Sequence, residues 1–366
     1  MNFQEVKKEL LPILEKAEEK RKVYRRYKLI STLFLQLFFL AIIIVPVAMY
    51  LFNSQFVAWV GTLPKNTISG FPIQFAMLFF WGAFIVVIVI SNNRKREYRN
   101  LEGEILSKLI KKIAPSFRYY QHRQISSEAL KKSELLTKYN PFIKNKKQET
   151  IYNLNQGVLL GKVDSTDITM GNVKTVETNY GSYLMFLPIL AHLYLAYEHL
   201  KPWFKKEASI EQIGGSFVGM FAFVDFPKSF KGTTVVLPDQ YEKKLGYLAK
   251  NIQSINFKRD ELVNLEDVAF ENEFVVYSTD QVEARYLLSP SLMERISNFK
   301  RKIKSPISLS FKDNKLYIAV TMPHGFLSLR TNENLITSNA LELFYDDITT
   351  AIGIVEDLNL NTKIWG

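Results

Sequence analysis

Two apolar runs dominate the hydrophobic pattern of the chain, 29–52 and 71–90, and neither contains a charged residue. At about 1.5 Å per helical residue, each is long enough to cross a hydrocarbon core of about 30 Å. The piece between them, 53–70, carries one charge, Lys65. The pattern predicts a two-helix transmembrane hairpin. A cleaved signal peptide would have a shorter apolar core nearer the N-terminus and no second run behind it.

On either side of the hairpin the period is helical. Phe3, Val6, Leu10, Ile13, Ala17, Tyr24 and Tyr27 fall on one seam of three-four spacing, interrupted by Lys20. Pro12 lies inside that seam and is expected to kink the helix or to start a new one. Pro46 and Gly82 mark places where the spans could kink or approach closely. Leu101, Ile105, Leu109 and Ile113 recur every four residues, with Leu106 and Ile110 beside them, until Ala114-Pro115. The two extensions are expected to pack as an antiparallel stalk, or to join the stalks of neighbouring subunits.

After a basic loop at 138–150 the period changes to two. Strands are predicted at 157–163, 166–170 and 172–178, with turns at Asp164-Ser165 and Gly171-Asn172. Further strands follow at 216–225, 233–237, 262–265 and 274–277. A hairpin around Asp313-Asn314 joins 307–311 to 315–320, with Leu316, Ile318 and Val320 on its buried face. Helices are predicted at 125–137, 241–253, 280–287 and 290–302. A last long one, capped by Ser338 or Asn339, carries the stripe Leu341, Phe344, Ile348, Ile352, Val355 and Leu358. Asp280 and Glu283 have capping-box spacing, and Pro290 suits a first helical position. The apolar stretch 183–197, broken by Pro188 and followed by Trp203, fits either an interfacial helix or a buried one.

The fold class that emerges is an α+β cytosolic domain, antiparallel strands with several helices, anchored by the hairpin. Its parts are an amphipathic, basic helix (1–28), the transmembrane hairpin (29–91), a helical stalk and connector (92–137), and the α+β domain (151–366) with an apolar insertion at about 180–206.

Charge then sharpens the picture. The net charge of +11 suggests nucleic acid, but its placement does not. Arg21, Arg25, Arg26 and Lys28 precede the first span, and Arg94, Lys95, Arg96 and Arg99 follow the second. Both clusters flank the same side of the hairpin, so the positive-inside rule predicts a multi-pass membrane protein with both termini cytoplasmic. These eight side chains and Trp203 are expected at the bilayer surface, whether they attract anionic lipid or only set topology. The lipid bilayer is thus a predicted partner. Basic and aromatic residues are not interleaved for stacking on bases, and nucleic acid is not.

Candidate chemistry is sparse. The chain has no cysteine, which excludes disulfides and thiolate metal sites. Its four histidines, His122, His192, His199 and His324, lack metal-ligand spacing. Phosphate-loop, nucleophile-elbow and zinc-protease motifs are absent. Glu266, Asp267 and Glu271 read as a solvated acidic surface. No catalytic residue, cofactor or metal is predicted. No ionisable side chain marks a path through the spans, which counts against a transporter.

Four stretches carry a resemblance: 232–239, 274–296, 310–320 and 353–365. The longest runs from Phe274 through Tyr277, Asp280, Glu283, Arg285, Tyr286 and Pro290 to Ile296. Together they resemble the bacterial family called domain of unknown function 3137, sharply over 215–365 and loosely before, with a departure at about 180–206. The resemblance implies a protein anchored in the bacterial inner membrane with a cytoplasmic domain of unestablished activity, and a LemA-like membrane protein as a partner. It supplies no catalytic residues. Asp280, Glu283, Arg285 and Tyr286 are the candidate ligand or partner surface. The function expected is a membrane-anchored interaction or scaffold module that forms homo-oligomers. The alternatives are a subunit of an oligomeric membrane channel or complex, and an enzyme whose site draws on Asp280, Glu283 or His324.

Overall fold

The computed structural model describes residues 3–51, 71–136, 153–163, 166–175, 217–226, 228–238, 261–322, 325–329 and 333–358. The insertion at 180–206 with Trp203, the helix predicted at 241–253, and His324 lie outside the described residues.

Two long helices lead. α1 runs Phe3–Leu51 and α2 runs Phe71–Ile113. α1 continues through Pro12, so the expected kink or restart there is not a break in the helix. Leu10 and Leu14 are buried on either side of Pro12 and hold the turn that lost its backbone donor. Cross-contacts fix the direction of the pair. Glu9 pairs with Lys112, Lys20 with Glu97, Tyr24 stacks on Tyr98 and Phe34 on Phe84. One number rises as the other falls, so the helices are antiparallel.

The transmembrane reading is corrected here. Among the described residues, no helix is long and apolar enough to cross a membrane. Side chains are described in α1 for residues 4–34, 36 and 37, and in α2 from 82 onward. Outside the two apolar runs, over 4–28 and 91–113, both helices are amphipathic, with a buried stripe and charged outer positions. The two-span anchor, and with it the multi-pass inner-membrane placement with both ends cytoplasmic, is therefore not supported.

The remaining elements, in chain order, are β1 (Arg118–Tyr120), α3 (Ser127–Lys132), β2 (Val158–Val163), β3 (Thr166–Lys174), β4 (Val218–Asp225) and β5 (Thr234–Pro238). They continue with β6 (Glu261–Leu262), α4 (Val268–Glu271), β7 (Phe274–Ser278), α5 (Gln281–Leu287), α6 (Pro290–Ile303), β8 (Ile307–Lys312), β9 (Lys315–Thr321), α7 (Ala340–Ile352) and α8 (Ile354–Asp357). The strands form one sheet of nine in the order β1-β2-β3-β4-β9-β8-β5-β7-β6. Every pairing is antiparallel. The α+β class with antiparallel strands therefore stands, without the anchor.

Alternation along each strand separates two faces. Met170, Met220, Ala222, Leu309, Leu316, Ile318 and Val320 share the main core, while Val173, Phe221, Tyr317 and Ala319 pack with Ile125 and Leu130 on the other side. β9 is thus buried on both faces, where the sequence suggests only one. β3 also differs from expectation, because it runs straight through Gly171-Asn172 instead of turning there. Gly171 pairs with Val158 and Phe221, and a Cβ at that position would meet the Ile125 side chain at 2.7 Å. The glycine is a packing gap and not a turn signal. The long C-terminal helix is divided at Gly353 into α7 and α8.

The helix pair is part of this fold and not a separate stalk. Val6, Leu10, Leu14 and Ala17 of α1, with Ile105, Leu106, Leu109 and Ile110 of α2, belong to the same buried cluster as the sheet face, Phe344 and Ile348. At the far end of the pair the apolar positions turn outward. Leu29, Ile30, Leu33 and Leu37, with Ile85, Val86 and Val89, are each 42–60% exposed.

Candidate functional site

The motif singled out in the sequence folds as β7, a tight corner, α5 and α6. Asp280 has an extended backbone, and its side chain accepts hydrogen bonds from the amides of Val282 (2.8 Å) and Glu283 (3.0 Å). This is the N-cap expected of an aspartate at that position. The other half of the capping box is redirected. The Asp280 amide donates to Ser278 Oγ at 3.2 Å, and Glu283 turns away from it. Both Glu283 oxygens accept backbone N–H groups from the β4–β5 connection, Lys231 and Gly232, each at 2.7 Å. Gly232 is required by this contact, since a Cβ there would lie 2.6 Å from Glu283 Oε2 and 2.5 Å from Thr279 Oγ1.

Arg285 donates to the carbonyl of Asn264 and to Gln281 Oε1, both at 3.3 Å. Lys228 is buried, donates to the Tyr286 carbonyl at 2.5 Å and lies 4.3 Å from the centre of the Tyr286 ring. Burial holds the Lys228 ammonium below its usual pKa. The four candidate residues therefore do meet at one corner, but both carboxylates are occupied by backbone donors. Beside the exposed Asp280 and Arg285, the corner presents two large apolar side chains to the outside, Val282 at 77% and Tyr286 at 54%, one turn apart on α5. Among the described residues, no group of three or more His, Asp or Glu is placed to hold a metal ion.

From β4 to α8 the strands, the capped corner and the closing helices form one continuous block, and this block coincides with a family match at residues 215–360. Those residues match the family described as Protein of unknown function (DUF3137). No curated protein and no solved structure matches the chain. The family boundary cuts through the sheet. β4, inside the DUF3137 region, is paired along its length with β3, outside it, and the helix pair completes the region's core.

Two buried carboxylates fasten the helix pair to the DUF3137 region. Glu18 of α1 accepts the amide of Leu335 at 3.0 Å, and its two oxygens each accept from Arg21 at 2.7 Å. Burial alone would raise the Glu18 pKa, but the Arg21 bond, the Leu335 amide and the charges of Arg21 and Lys22 outweigh it and hold the carboxyl below its usual value. Glu102 of α2 accepts the amide of Leu329 at 2.6 Å, with the Ser328 hydroxyl at 3.5 Å from the same oxygen. Burial pushes Glu102 up to about 7, with the Leu329 amide, the Arg99 charge and Ser328 opposing it in part. Tyr98 is buried beside this cluster with no hydrogen-bond partner for its hydroxyl, and burial followed by the charge of Glu102 drives its pKa up.

The basic set expected at a bilayer surface separates into unlike environments. Arg21 is buried in its pair with Glu18, and so is no surface contact. Arg94 pairs with Glu97 at 2.9 Å, and the Arg99 carbonyl accepts from Gln121. Arg25, Arg26, Lys28, Lys95 and Arg96 are exposed. Neither Glu18 nor Glu102 is singled out by motif. The signal available was positional: Glu18 is four residues after Leu14, and Glu102 is four before Leu106, so both charges sit on the apolar stripes.

Proposed function

We propose that the chain is a non-enzymatic interaction and scaffold module that associates with further copies of itself through the far end of its helix pair. The observation that carries this reading is the collar of outward apolar side chains, Leu29, Ile30, Leu33 and Leu37 on α1 with Ile85, Val86 and Val89 on α2. Positions 29, 33 and 37 recur every four residues, as do 85 and 89, so each helix presents an apolar face of its own. Contiguous exposed apolar surface of this kind marks a contact site. A second helix pair can cover both faces at once in a four-helix arrangement. The near end of the pair is anchored in the DUF3137 region by the shared core and by Glu18 and Glu102. Contacts made at the collar would then set how several such regions are arranged relative to one another. The capped corner supports a role in binding over catalysis, because Asp280 and Glu283 are committed to backbone donors.

The test is the mass of the full chain in mild detergent, which keeps apolar surfaces from clumping unspecifically. A defined dimer or larger ring is expected for the wild type, and monomer for a Leu33→Lys, Val86→Lys double variant. A wild-type monomer over the working concentration range, or an assembly untouched by the double variant, overturns the reading.

A further inference from the structure

We propose that Glu102 is a proton-operated latch between α2 and the segment 326–329 of the DUF3137 region, shut when its carboxyl is neutral and loosened when it ionises. The geometry comes first. Glu102 is buried on a helix face that looks into the core, and among the described residues its hydrogen bonds come from one segment, from the Leu329 amide at 2.6 Å and the Ser328 hydroxyl at 3.5 Å. Phe326, Leu327 and Leu329 of that segment are themselves buried. Among the described residues no Lys, Arg or His forms an ion pair with Glu102. The titratable groups that face it are Tyr24 from α1, Tyr98 and Arg99 from α2 and Tyr119 from β1. Three of these four are neutral phenols, and burial raises each of them further from ionisation. An unpaired carboxylate in such surroundings is costly, and opening the contact to water relieves that cost.

Glu18 supplies the contrast within the same molecule. It makes the same kind of contact, accepting the Leu335 amide at 3.0 Å, but Arg21 occupies both of its oxygens. One fastening is built to stay charged, and the other is not. The raised value of Glu102 fits this difference and puts its titration near neutrality.

The experiment is amide hydrogen exchange on the full chain at about pH 6 and about pH 8, with rates corrected for the intrinsic effect of pH on exchange. If the closed carboxyl titrates near 7 and the opened one at its ordinary value, protection of the Leu329 amide should fall roughly tenfold over that interval. Protection at Leu335 should change less than about twofold, because Arg21 keeps Glu18 charged throughout. Glu102→Gln retains an acceptor oxygen and cannot ionise, so it should hold Leu329 equally at both pH values. Unchanged wild-type protection at Leu329, a parallel fall at Leu335, or the same fall in Glu102→Gln overturns the proposal. If the variant does not fold, the wild-type comparison of Leu329 with Leu335 decides it alone.

Discussion

At the scale of single residues, the α5 corner shows how a distinctive motif can be structural. Glu283 serves two backbone amides that belong to a different connection 51 and 52 positions away. Removing it in Glu283→Ala leaves the Lys231 and Gly232 amides without their acceptor. Hydrogen bonds to a charged group are worth about 1.5–3 kcal/mol each, so with partial access to water we expect a loss of about 2–4 kcal/mol in urea unfolding. Asp280→Ala removes only an N-cap and should cost about 1 kcal/mol. A Glu283→Ala cost no larger than that of Asp280→Ala would show that the cross-connection bonds contribute little. The spacing of Asp280 and Glu283 made the helix start legible. It did not reveal that Glu283 would be drawn from the box to Lys231 and Gly232, because that depends on Gly232 lying against Thr279 and Glu283 in space.

At the scale of elements, the helix pair is a wall of the main core, and its mutants should behave accordingly. Leu106 is fully buried in the cluster that α2 shares with α1, the sheet and α7. Leu106→Ala should cost about 2–5 kcal/mol, as large-to-small core changes do. The loss should appear in one cooperative transition, with helix and strand signals in circular dichroism moving together. Separate melting of a helical unit at lower temperature would mean that the pair is an appendage. The helical and strand periods were plain in the sequence, and the β8–β9 hairpin, the Asp280 cap and the Pro290 start lie where pattern places them. What pattern did not supply was the neighbourhood of each face. Tyr317 and Ala319 look like an outer face along β9 and become inner only because α3 and Ile125 cover them. The stripe of α2 reads equally well as a stalk seam or a core wall, since both need the same four-residue recurrence. Arg21 looked like one more basic flank, yet it lies four residues beyond Ala17 on the seam, where only a buried partner makes its charge tolerable.

At the scale of the whole molecule, the two fastenings impose opposite pH limits on the folded state. Glu18 has its carboxyl lowered on folding. Its contribution is therefore present above the ordinary carboxylate pKa and is lost as pH falls through the lower folded value. Glu102 is raised on folding to about 7. Its neutral form is favoured by the fold, so that contribution is fully present below the ordinary value of 4.5 and is lost as pH rises toward 7. The full difference for Glu102 is on the order of 3 kcal/mol between its two limits. Two buried carboxylates on the same helix pair thus pull in different directions, because Arg21 hydrogen-bonds both oxygens of Glu18 whereas Arg99 acts on Glu102 through its charge alone. The folded chain should be most stable on the acid side of neutrality and should weaken both toward about pH 3 and toward about pH 8. Urea unfolding across that range checks it. Glu102→Gln should remove the alkaline limb and leave the acid limb in place, whereas Arg21→Gln should weaken the chain most at neutral pH, where Glu18 would then be charged and unpaired. An alkaline limb that survives Glu102→Gln would assign the loss to groups other than this contact, and would place the pH response of the molecule outside the junction between α2 and the DUF3137 region.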